Sequence, residues 1–145
     1  MTRTRQVLCL FYAAISVIAL LATWSQNLAY FGGGAAGAGQ QFVLDAMINP
    51  ASRSITIDIG LFLLAATGFM VTEARRLGLR LVWVYVIAGF LIAISFTFPL
   101  FMIAREMRLA KSDRIDGAAR LTASDIIGLA VTTLVILGLT GFILH

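Results

Sequence analysis

The residues able to do chemistry are few, and the sharpest of them lie in "NPASRSITID" (49–58). Arg53 and Asp58 stand there at the mouth of the apolar run "IGLFLLAATGFMV". A carboxylate at the centre of a membrane span costs about 2.5–3.5 kcal/mol, and less near its edge. Asp58 therefore needs partners. Arg53 is five residues back, about 140° away around a helix, so the two do not form a good pair on one face. Ser54 is one turn back and better placed. From other segments come Trp24, Gln26 and Asn27, then Ser95, Thr97 and Arg105. The candidate polar cluster is Trp24, Gln26, Asn27, Asn49, Arg53, Asp58 and Arg105. It has two readings: a clamp that ties the ends of helices together, or a site for a ligand or a proton- or cation-linked step. Glu73 with Arg75 and Arg76 reads as a solvated interfacial cluster at the other end of the same run.

Much chemistry is excluded. The one cysteine, Cys9, allows no internal disulfide and no multi-cysteine metal site. The one histidine is His145. No Ser/His/Asp or Cys/His arrangement exists, so we expect no metal, no cofactor and no catalytic residue. An enzyme would have to work with Asp58, Asp45 and Arg53. The glycine run "GGGAAGAG" (32–39) lacks the Gly-Lys-Ser/Thr ending of a phosphate loop and reads as a flexible joint.

The elements that must position these residues follow from composition. Of 145 residues, 60% are hydrophobic and 12% charged, about half the charge of an ordinary soluble domain. Lipid is the solvent for such a chain. The net charge of +4 sits between apolar runs, which points to lipid head groups and topology rather than nucleic acid. Four runs, about 6–24, 54–72, 79–104 and 123–144, are each long enough to cross a hydrocarbon core of about 30 Å. The expected fold is all-α: one membrane domain over 1–145, a bundle of four transmembrane helices with a short interfacial helix in the first loop. "MTRTR" resembles the start of a signal peptide, but the apolar stretch after it is longer than a signal needs, so it reads as a span.

Local grammar sets the boundaries. Asn49 is a good N-cap with Pro50 at the first helical position, and Gly78 stops that helix. Thr122 with Asp125 forms a capping-box pattern before the fourth run. Pro99 should kink the third. Gln41, Asp45 and Asn49 recur at four-residue spacing, as on the polar face of an interfacial helix. Gly89, Ala93 and Thr97 form a small-residue stripe for close helix packing. With four crossings the basic residues divide almost evenly: Arg3, Arg5, Arg75, Arg76 and Arg80 on one side, Arg53, Arg105, Arg108, Lys111, Arg114 and Arg120 on the other. The first helix breaks the tie, placing both termini in the cytoplasm.

The strings "TWSQNLAYF" (23–31), "NPASRSITIDI" (49–59), "FMVTEARRLGLR" (69–80) and "FPLFMIARE" (98–106) together resemble a family of small bacterial multi-pass membrane proteins known only as a domain of unknown function. The likeness covers about 6–108 and implies an inner-membrane location. It supplies no activity, cofactor or catalytic residue. Shorter relatives end near the third run, so the fourth looks like an addition.

The expected function is non-enzymatic: binding of a lipid-like ligand or a membrane-protein partner through the cluster around Asp58. The alternative is a small oligomeric transporter or channel. Membrane lipids, a membrane partner and a second copy of the chain are the expected partners.

Overall fold

The computed structural model describes residues 2–33 and 35–111, with Ala123, Ile127, Ala130, Val131 and Leu134 beyond them. Apart from those five positions, the expected fourth span and its Thr122 cap lie outside the described residues. Among the described residues there are helices and no strand. They are α1 (Arg3–Asn27), a 3₁₀ segment (Leu28–Gly33), α2 (Ala35–Ala46), α3 (Pro50–Leu77), α4 (Val82–Leu91) and α5 (Ile94–Ala110). Helices α1 and α3 are long and apolar enough to cross a membrane.

Helix α3 begins and ends as its sequence dictates. The Asn49 side chain accepts from the Ser52 N–H at 2.9 Å, and Pro50 occupies the first turn, where its missing donor costs nothing. At the far end Gly78 adopts φ 67° and ψ 32°. The N–H groups of Gly78 and Leu79 return to the carbonyls of Arg75 and Ala74, and the Arg108 Nε donates to the Leu77 carbonyl at 2.9 Å. Any side chain at position 78 meets the left-handed backbone penalty. Gly78→Ala is expected to lower stability by about 1–2 kcal/mol, read as a drop in the thermal midpoint of the purified protein. An unchanged midpoint would contradict this turn.

The glycine run is not a loose joint along its whole length. From Ala35 the chain is helical, because alanines alternate with the glycines and supply the propensity they lack. Of the polar spacing foreseen here, Gln41 and Asp45 lie on this helix, where the Gln41 side-chain amide donates to Asp45 Oδ1 at 2.8 Å, whereas Asn49 lies beyond its end and caps α3.

The third apolar run departs most from expectation. It is not one helix over 79–104 but two, α4 and α5, separated at Ile92 and Ala93. In a straight helix Tyr85 and Phe101 would lie about 24 Å apart along the axis. Their rings are instead in edge contact, with centroids 5.7 Å apart. The chain has folded back on itself. Ala93 is extended (φ −176°, ψ 136°), and its carbonyl accepts from the N–H groups of Phe96 and Thr97. The Thr97 hydroxyl adds a bond to that carbonyl at 3.2 Å.

Gly89 makes the reversal possible. A Cβ there would stand 2.9 Å from Thr97 Oγ1 and 3.3 Å from Ile94 Cδ1. The small-residue stripe is thus redistributed: Ala93 forms the turn, while Gly89 and Thr97 face each other across it. The reversal also moves Pro99 from the interior of a long helix to the second turn of α5, so the break falls six residues before the proline.

The hairpin packs on α3, and α5 on α1. Ala66, Met70 and Ala74 of α3 meet Val82 of α4 and Ile94 and Phe101 of α5 in the buried core. Phe69 adds edge contacts to Phe98 and Phe101. Phe62 meets Phe98, Glu73 meets Arg105 and Arg108 meets Leu77, so α5 runs parallel to α3. Ser16 donates to the Phe96 carbonyl at 3.1 Å and Arg5 faces Glu106, so α1 is antiparallel to α5.

Candidate functional site

The expected polar cluster is divided between the two ends of the molecule. Six of its seven members lie toward the end where α1 stops and α3 starts. Asn49 is spent on capping. The Arg53 Nη1 donates to the Met47 carbonyl at 3.2 Å, securing the turn between α2 and α3. Gln26 reaches Ser25 Oγ at 3.4 Å, and Asn27 is the last residue of α1. Trp24 stacks on Phe31 with ring centroids 6.2 Å apart. Asp58 is exposed on α3 among exposed Ile55, Ile57, Ile59 and Leu61. It makes no hydrogen bond or ion pair among the described residues.

Arg105 is at the opposite end. Its Nε donates to Glu73 Oε1 and its Nη1 to Glu106 Oε1, both at 2.6 Å. The Arg76 Nε donates to Glu73 Oε2 at 2.6 Å, and its Nη2 donates to Oε1. Arg5 of α1 lies 3.8 Å from Glu106 Oε2. Glu73 and Glu106 are only 8% and 6% exposed, so the cluster read as solvated is instead a buried knot joining α1, α3 and α5. Charge-assisted bonds of this length are among the stronger ones a protein makes. Sequence reasoning saw Glu73 and Arg76 but missed their partners. The available signal was that "TEARR" and "IARE" each close an apolar run, which places two acids and several arginines at run ends.

A second feature lies at the hairpin turn. Leu20 and Trp24 of α1 and Ile92 and Phe96 at the turn line an open groove of about 580 Å³. Its walls are apolar. The Trp24 Nε1 is buried and has no acceptor among the described residues. Of the expected cluster, Trp24 lines this groove.

These features define a class: a helical protein with, among the described residues, two helices of membrane-crossing length, a folded-back helical pair packed between them, and a buried ionic knot at one end. Within that class the chain belongs to the family described as protein of unknown function DUF2834, whose model matches residues 11–107. The two strings that supply Glu73, Arg76, Arg105 and Glu106, "FMVTEARRLGLR" and "FPLFMIARE", fall inside the matched stretch, and Arg5 precedes it. No curated protein and no solved structure matches the chain.

Proposed function

We propose that this is a non-enzymatic integral membrane protein that binds a lipid-like ligand, with the groove at the hairpin turn taking an acyl chain. The groove carries the reading. It is apolar and open, and the Trp24 ring forms part of its wall, a surface suited to an acyl chain.

The depth of the groove supports it. Helix α4 has ten residues, about 15 Å, half of a hydrocarbon core of about 30 Å. The turn lies level with Ser16, midway along α1. Both the start of α4 and the end of α5 return to the end where α1 begins. In this reading the hairpin is re-entrant and does not cross. Above its tip α1 continues without it, and the groove lies there against α1 and the turn.

The same geometry supports one orientation where charge counting left a near balance. If 79–110 does not cross, Arg105, Arg108 and Lys111 join Arg3, Arg5, Arg75, Arg76 and Arg80 at one end, with Arg53 at the other. The positive-inside rule then places the α1 start in the cytoplasm of a bacterial inner membrane and opens the groove to the outer leaflet. Ion-coupled transport has less support, since Asp58 stands on an exposed face apart from the groove-lining residues.

Two measurements test the proposal. In a Cys9→Ser background, Lys111→Cys and Arg3→Cys are expected to resist a membrane-impermeant maleimide in intact cells, while Ser52→Cys is labelled. Labelling of Lys111→Cys together with Ser52→Cys would reject the re-entrant hairpin. A phosphatidylcholine bearing a photoreactive acyl tail is expected to crosslink within 16–27 and 92–98. Filling the groove with Ile92→Trp should cut that labelling several-fold, and undiminished labelling would reject the acyl site.

A further inference from the structure

We infer that Arg5 holds an oxyanion, a phosphate group, between α1 and α5 at the basic end of the bundle. This site is separate from the groove and needs a different part of a ligand.

The charge count in the knot leaves one cation over. Three guanidinium groups, Arg5, Arg76 and Arg105, face two carboxylates, Glu73 and Glu106. Both oxygens of Glu73 are occupied by Arg76 and Arg105. Glu106 gives Oε1 to Arg105, and its Oε2 is 3.8 Å from Arg5 Nε, too long for a hydrogen bond. Arg5 is only 8% exposed, yet its side chain makes no hydrogen bond among the described residues, and its buried Nε has only the long ion-pair contact with Glu106. Its backbone N–H is already held by the Thr2 hydroxyl at 3.5 Å.

A nearly buried guanidinium with unspent donors is a costly arrangement unless something supplies acceptors. A phosphate matches the fork of an arginine in geometry and charge. The other cations at this end, Arg3, Arg75, Arg80, Arg108 and Lys111, favour an anion there over a zwitterion. The two acids outside the knot among the described residues, Asp45 and Asp58, lie toward the other end and cannot serve. The phosphate comes either from an anionic lipid head group or from free phosphate.

The test uses the full chain in detergent, with thermal unfolding read from tryptophan fluorescence. Three additions are compared: phosphatidylglycerol, phosphatidylcholine and inorganic phosphate. Phosphatidylglycerol is expected to raise the wild-type midpoint by several degrees, and phosphatidylcholine is not. If inorganic phosphate reproduces the gain, the free ion is the source; if it does not, the head group is. Arg5→Gln should abolish the gain. Arg5→Lys, which keeps the charge but loses the fork, should fold and show a reduced gain even if Arg5→Gln does not fold. Arg80→Gln, an exposed cation at the same end, should keep the gain. An equal gain in wild type and Arg5→Lys, or a loss in Arg80→Gln as large as in the Arg5 variants, would overturn the site in favour of diffuse attraction. A destabilisation by Asp113→Asn with Asp116→Asn together with loss of the gain would also overturn it, by assigning those acids to Arg5. Acyl-tail labelling of the groove is independent of each result.

Discussion

Glu73→Gln is expected to lower the stability of the purified protein by about 2–3 kcal/mol. The shape is kept and the charge is lost. Arg105 and Arg76 both donate to this one carboxylate, from α5 and from the next turn of α3. An amide oxygen at the Oε1 position can still accept from both, but the NH2 group that replaces Oε2 then faces the Arg76 Nε–H, and neither bond is any longer to a charged acceptor. Arg105 keeps Glu106, and Arg76 is largely exposed, so the loss falls short of the 3–5 kcal/mol typical of a fully isolated buried charge. The measurement is chemical or thermal unfolding in detergent, with Glu73→Gln, Arg105→Gln and the double variant closing a cycle. A coupling energy near zero would mean that the knot does not tie α3 to α5. Asp58→Asn is the natural comparison. Asp58 has no partner among the described residues, so its amide should fold as well as wild type. A loss as large as that of Glu73→Gln would restore the clamp reading at Asp58.

Gly89→Ala tests the hairpin by the sign of its effect. In a lipid-facing position of a continuous helix, replacing glycine by alanine gains about 1 kcal/mol. In the folded-back arrangement the new methyl stands 2.9 Å from Thr97 Oγ1, closer than such contacts tolerate. Overpacking costs about 1–3 kcal/mol. The net expectation is a loss of up to about 2 kcal/mol after the helix gain is subtracted, and no gain. Thr97→Ala removes the opposing hydroxyl and should recover much of that loss in the double variant, although it gives up the bond to the Ala93 carbonyl. A stabilised Gly89→Ala protein would show that residues 79–104 form a single helix.

Local sequence grammar was a good guide where the cause was local. Asn49 and Pro50 start α3, Gly78 ends it, and Gln41 reaches Asp45, each through contacts within a few residues. The family was also legible, because its strings are contiguous and the matched stretch, 11–107, is close to the 6–108 read from them. The site was less legible. Asp58 drew attention because a charge inside an apolar run is conspicuous in one dimension. Glu73 and Glu106 did not, because acids at run ends look solvated until another helix covers them.

By itself the sequence determined that this is a helical chain with apolar runs of membrane-crossing length, the caps of α3, and membership of a family without an assigned activity. Hydropathy and capping are properties of neighbours along the chain, so a single sequence states them. Only the tertiary structure decided that the third run turns back at Ile92 and Ala93, that Arg105 belongs with Glu73 rather than Asp58, and that Arg5 is the cation left over. Each of these depends on pairs far apart in sequence: Gly89 making room for Thr97 across a turn, and α1 and α5 bringing Arg5 to Glu106. Hydropathy cannot distinguish one apolar helix that crosses from two that fold together, because both bury the same residues in the same solvent.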